Sequence, residues 1–139
     1  MLIAKYTANT SGVLPTFNNG YKYTINEIES NGVYTVEISS DSDFTSCSFN
    51  GKIELLTVEY LKVTSNVTDM SSMFQKCSSL TRLDVSDWDT SKVTNISAMF
   101  NNCSSLTQLD VSNWDTRSVS YMNGVFHTCP KLTRLDVSN

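Results

Sequence analysis

Three of the four cysteines, Cys77, Cys103 and Cys129, recur at 26-residue intervals. A thiol at a fixed place in a repeat has two readings, a metal or redox ladder or a small buried apolar side chain. No C-x-x-C pair or histidine partner supports a metal site, so none is assigned. A disulfide between ladder cysteines needs Cα atoms within about 7 Å. Packed helices sit about 8–10 Å apart, so reduced thiols are expected. Cys47 lies outside the register. A second set with chemical capacity is polar: Arg82, Gln108 and Arg134 share one repeat position, Asp84, Asp110 and Asp136 another, and Ser86, Ser112 and Ser138 a third. Carboxylates stacked about 4.8 Å apart repel one another. Such a column suits a cation with oxygen ligands, a polar platform for carbohydrate or protein, or a solvated face on which arginine offsets aspartate. A flat column does not wrap an ion, which weakens the calcium reading. His127 is the single histidine and stands one residue past a register phenylalanine, as Gln75 and Asn101 do, which reads as a surface position. No motif suggests a serine–histidine pair, so no catalytic residue is assigned and the chain reads as non-enzymatic.

These residues are positioned by a repeat of 26, with units starting at 67, 93 and 119. Self-similarity at such a period marks an array in which each unit buries its apolar face on a neighbour. In the first half of each unit Met70, Met73, Phe74 and Cys77 fall at i, i+3, i+4 and i+7, matched by Ile96, Met99, Phe100, Cys103 and by Met122, Val125, Phe126, Cys129. That spacing predicts one face of a short helix, capped by Thr68, Thr94 or Ser120. In the second half L-x-x-L-x-V recurs as Leu80, Leu83, Val85, as Leu106, Leu109, Val111 and as Leu132, Leu135, Val137, predicting a short strand with one buried face. Trp88 and Trp114 follow. They read as packing between units rather than as sugar platforms. Asp89 and Asp115 then open turns. The predicted core is therefore Phe74, Cys77, Leu83, Trp88, Phe100, Cys103, Leu109, Trp114, Phe126, Cys129 and Leu135.

The recurring string CSSLTRLDVSDWDTSKVTNISAMF resembles the BspA-like leucine-rich repeat family of bacterial surface proteins. The resemblance covers roughly residues 53–139. It implies an α/β solenoid of strand-plus-short-helix coils with a parallel sheet, no catalytic centre, and a role in adhesion or partner recognition outside the cell.

The rest of the chain frames this array. Residues 1–52 read as a β-rich cap or attachment region: Leu2–Thr7 as a strand, a loop to Gly20, and two alternating runs around Asn31–Gly32 as an antiparallel hairpin. Its tyrosines, Tyr6, Tyr21, Tyr23 and Tyr34, divide between core and a contact patch. Ile53, Leu56 and Val58 reproduce L-x-x-L-x-V 27 residues ahead of Leu80, predicting a degenerate first coil over residues 53–66. The net charge of −4 and pI near 4.8 argue against a nucleic-acid groove. No apolar run is long enough to span a bilayer, and the start does not read as a signal peptide. Matches to the glycosylation pattern, such as Asn66-Val67-Thr68, are incidental in a chain so rich in Asn, Ser and Thr. The third unit stops at Asn139, before a third tryptophan, and its outer edge is expected to be covered by a neighbouring subunit or by more of the array.

The functional expectation is a recognition or adhesion module with a protein or carbohydrate ligand and no cofactor. The alternative is a structural subunit of an external assembly, such as a phage virion decoration or fibre, attached through residues 1–52. Both place the protein outside the cell, on a bacterial surface or a phage particle, with homo-oligomerisation or larger assembly open.

Overall fold

The structure, a computed structural model, describes residues 1–136. Val137, Ser138 and Asn139, and with them the third serine of the predicted column and the expectation about the chain end, lie outside the described residues. Strand β1 (Leu2–Ala8) buries Ile3, Ala4, Tyr6 and Ala8. It is paired antiparallel on both sides, with β4 (Val33–Ser39) and with β6 (Leu55–Leu61). β3 (Thr24–Ser30) forms the predicted hairpin with β4. The loop is the two residues Asn31 and Gly32, both at positive φ (52° and 78°), the backbone that a two-residue turn requires to match strand twist. β3 is a charged edge strand. β2 (Thr16–Phe17) pairs with β5 (Cys47–Ser48). Each of the first two repeats then contributes a very short strand, β7 (Arg82–Leu83) and β8 (Gln108–Asp110), and the third contributes β9 (Arg134–Asp136). The main sheet is mixed, in the order β3-β4-β1-β6-β7, with β6 and β7 parallel; β8 and β9 form a separate parallel pair.

There is no helix among the described residues, and the α/β solenoid of strand-plus-helix coils is thereby corrected. So is its continuous parallel sheet, because β7 and β8 belong to different sheets. The physical reason lies in where the amide groups go. In a helix Phe74 N–H would bond within its own segment. Instead Met70, Ser72, Phe74 and Lys76 donate to the carbonyls of Asn95, Ser97, Met99 and Asn101 in the next repeat, at 2.8–2.9 Å. Ile96, Ala98, Phe100 and Asn102 donate likewise to Tyr121, Asn123, Val125 and His127. The intervening amides close overlapping i→i+3 turns, as Gln75 to Ser72 and Cys77 to Phe74. Two residues per unit carry the left-handed backbone this needs: Ser72 and Lys76, Ala98 and Asn102, Gly124 and Thr128. Ten-residue segments rich in Ser, Asn and Thr have little helical tendency to oppose it. The predicted caps fail for the same reason, since Thr94 and Ser120 donate through their backbones to Thr68 and Thr94. Side-chain turns at Asp69 and Asn95 open the segment instead.

The buried side of these turns is nevertheless the predicted apolar side. Tyr6 meets Phe49 edge-on at 5.1 Å. Phe49, Phe74, Phe100 and Phe126 then continue as a row of rings 5.6, 5.8 and 5.7 Å apart, within 9° of parallel. Each fully buried ring contributes about 1.5–3 kcal/mol by leaving water. Trp88 and Trp114 stack beside it at 5.8 Å and are 5% exposed. Phe49 was not foreseen as a member of the row. Its place shows that the first unit lies 25 residues, not 27, ahead of the next: Leu55 and Val58 match Leu80 and Leu83, with Val58 directly paired to Leu83, while Ile53 is 53% exposed. Gly51, φ 75°, likewise occupies the left-handed position of Lys76.

A substitution separates overlapping turns from a helix. Lys76 is exposed with φ 63°. Glycine in a helix interior costs about 1 kcal/mol, whereas glycine at a left-handed position relieves steric strain. Lys76→Gly is expected to raise stability by about 0.5–1 kcal/mol, read as a higher urea midpoint at unchanged slope; a lower midpoint would restore the helix.

Candidate recognition face

The outward side chains of β7, β8 and β9 converge as expected. Arg82, Asp84, Ser86, Gln108, Asp110, Arg134 and Asp136 line one open concavity of about 330 Å³. Leu83, Val85 and Leu109, all nearly buried, form its floor. It sits over the seam where β7 and β8 adjoin without forming a ladder. Gln108, Asp110, Arg134 and Asp136 are held in register by the β8–β9 pairing.

The carboxylates are not arranged around an ion. Asp84 Oδ1 accepts both the backbone N–H and the hydroxyl of Ser86, at 3.0 and 2.7 Å. Asp110 does the same with Ser112, at 3.0 and 2.6 Å. The Asp–x–Ser spacing is thus a side-chain turn that ends each strand. These bonds hold both carboxyls below the ordinary aspartate range, the Ser hydroxyl first, with the Arg82 and Arg134 charges adding to the effect. Asp89 and Asp115 open the next turn by the same device, with Ser91 and Arg117 as donors. Asp115, bound through two side-chain nitrogens of Arg117, is pulled down to about 2. Among the described residues no cluster of His, Cys, Asp and Glu is placed to hold a metal ion.

The face extends further than the repeats. Thr57 of β6 is paired with Arg82, and Thr7 of β1 with Thr57, their hydroxyls 2.7 Å apart. In the adjacent row Lys5 reaches Glu37 at 3.5 Å and Glu59 at 3.9 Å. Glu59 shares a small hollow with Asp84. Sequence reasoning missed these residues because it set residues 1–52 apart from the repeats. The alternation of Lys5 and Thr7 with buried Tyr6 was the available signal.

The cysteines have a different task. Cys77, Cys103 and Cys129 thiols each donate to the carbonyl of a phenylalanine one unit earlier, Phe49, Phe74 and Phe100, at 3.0–3.1 Å. All four cysteines are free. Burial pushes the thiols up, Cys77 to about 12 and Cys47 and Cys103 further. Trp88 and Trp114 are buried in their stack and offer no ring to a sugar. Tyr6 is core, its hydroxyl on the Val13 carbonyl; Tyr21 and Tyr23 cluster with Phe17. The core is complete through Trp114. In the third unit Phe126 and Cys129 are half-buried and Leu135 is 38% exposed. His127 is exposed and lies beside Met122 and Phe126, in another hollow. No helix among the described residues is long and apolar enough to cross a membrane.

Taken together, fold and face define a β protein of in-register turn repeats with an open, charged sheet surface. Residues 40–139 match the family described as Mycoplasma protein of unknown function, DUF285, and the chain belongs to that family. This corrects the resemblance to BspA-like leucine-rich repeats: L-x-x-L-x-V spacing marks any short strand with one buried face, and here it accompanies turns rather than helices. No curated protein and no solved structure matches the chain.

Two measurements follow from this chemistry. In native protein at pH 8, a disulfide reagent should modify Cys129 first and leave Cys47, Cys77 and Cys103 unreacted, while all four react once guanidinium unfolds the chain. The aspartates set an acid limit. Their folded values lie below the unfolded 3.8, so their stabilisation is complete above about pH 5 and is lost as pH falls toward 2. Thermal melts should decline over that window, and less steeply in Ser86→Ala/Ser112→Ala.

Proposed function

We propose that the chain is a non-enzymatic recognition module and that the concave face around Arg82, Gln108 and Arg134 binds a protein surface. One observation carries this reading: residues from three separate repeats, with nothing in common but their register, converge on a single open concavity with charged walls and an apolar floor. Ligand sites combine an apolar base with a few convergent polar groups. The turns fix the aspartates, so the face is preorganised, which lowers the cost of binding. Arg82 and Arg134 present planar donors suited to carboxylates, and the acidic row from Glu37 to Asp136 supplies the opposite charge. A carbohydrate ligand is less well served, since both tryptophans are buried and no aromatic ring lines the concavity.

The test is a peptide and glycan array probed with labelled protein and with Arg82→Ala/Arg134→Ala. Peptides carrying paired acidic residues are expected to bind, to weaken at least about tenfold in the double variant, and to weaken in 0.5 M salt, as screened charge pairs do. Binding that is indifferent to both arginines, or confined to glycans, would overturn the assignment.

A further inference from the structure

The row that carries Arg82, Thr57 and Thr7 continues across the rest of the main sheet. Thr7 is also paired with Thr35 of β4, and Thr35 with Ile28 of β3. Directly opposed residues share a face of a sheet, and Thr7 and Thr35 lie on the side away from buried Tyr6 and Val36. Ile28, Thr35, Thr7, Thr57 and Arg82 therefore form one outward row over five strands. Its far end is apolar. Ile28 is 60% exposed, and Val33, two residues from Thr35 and on the same face, is 38% exposed. Single apolar side chains on a surface need no explanation; these two end a row whose other end is the concavity. The row also changes in charge along its length, from a guanidinium through three neutral hydroxyls to an aliphatic side chain. Beside it run Glu37, Lys5 and Glu59, where Lys5 is engaged by both carboxylates.

We propose, resting on the reading of the concavity as a protein-binding site, that the site extends along this row and takes one extended segment of a partner protein. The segment lies across the strands, with acidic residues at the arginine end and an aliphatic side chain on Ile28 and Val33. Four strand spacings of about 4.8 Å separate Arg82 from Ile28, about 19 Å in all. An extended chain advances about 3.3 Å per residue, so the aliphatic residue stands about six positions from the acidic pair. The residues between are uncharged, because a carboxylate there would face Glu37 and Glu59. The threonine hydroxyls, each able to donate and to accept, suit a backbone passing over them.

The probes are dye-labelled synthetic peptides with two adjacent aspartates and a Ser/Thr spacer. They are made without leucine, with leucine about three residues from the aspartates, and with leucine about six residues away, each in both chain orders. Fluorescence anisotropy on the full chain is expected to show the longer-spaced peptide, in one chain order, binding about tenfold tighter than the other two. That is the gain from burying most of an aliphatic side chain. Ile28→Thr, at an exposed strand position, should abolish the gain while leaving the melting temperature and the affinity of the leucine-free peptide unchanged. A glutamate at the centre of the spacer should weaken the longer-spaced peptide at least about threefold. The extension is wrong if leucine adds nothing, if it helps equally at both spacings, or if its gain survives in Ile28→Thr; binding that still needs Arg82 and Arg134 would then leave the concavity standing as a site by itself. If no aspartate peptide binds the wild-type chain, the concavity and its extension fall together.

Discussion

Everything in this protein depends on the direction in which its amides point. At alternate residues from Met70 to Lys76 and from Ile96 to Asn102 the N–H groups donate to the following unit, while Thr94, Ser120, Asp84 and Asp89 donate to the preceding one. A helix closes its hydrogen bonds on itself and an ordinary strand shares them with both sides. Here alternate amides close turns within the segment, and the rest are satisfied by the following unit. The geometry fixes the register between units, and register in turn places the phenylalanine row, the tryptophan pair and the cysteine thiols opposite their counterparts. It also explains why one position can be Ser72, Ala98 or Gly124. What is selected there is a backbone conformation, and each of these small residues reaches it.

The N-terminal sheet serves as the foundation on which that register begins. β1 is paired on both sides, and Tyr6 turns its ring onto Phe49, the first member of the row. β2 closes the outer edge of β5, so the array starts from a satisfied surface. β6 carries the transition: antiparallel to β1 and parallel to β7, it belongs to the sheet by one edge and to the repeats by the other. The proposed recognition face inherits this continuity, since Lys5 and Thr7 lie in rows with residues of the repeats.

Much of this was legible in the sequence, and the failures are instructive. The alternation in β1 and β4 and the Asn31–Gly32 turn were readable because strand period and turn chemistry are local. The buried members of the first two repeats were readable because side-chain burial follows periodicity. The type of element was not. Spacing of i, i+3, i+4 and i+7 records that the chain curls and returns to one side every three to four residues. Overlapping i→i+3 turns with a left-handed residue every fourth position do that as well as a helix does. The distinguishing evidence was present in Gly124 and Asn102, residues that tolerate positive φ, one at each of the two left-handed offsets inside supposed helices. The 25-residue step between Phe49 and Phe74 was hidden because the first unit shares almost no side chains with the others beyond its phenylalanine. The acid-turn role of Asp84 and Asp110 was hidden behind their column, although Asp–x–Ser was its local mark.

The hydrogen bonds between units have a mechanical consequence. Because they run along the axis of the array, tension between the two ends loads them in sequence rather than in parallel. The least buried of the described units, the one starting at residue 119, would peel before the two ahead of it. Each release would pay out 26 residues, a length of about 90 Å at the reach of an extended chain. A tether built this way yields in steps of equal size and keeps the sheet foundation intact until the end.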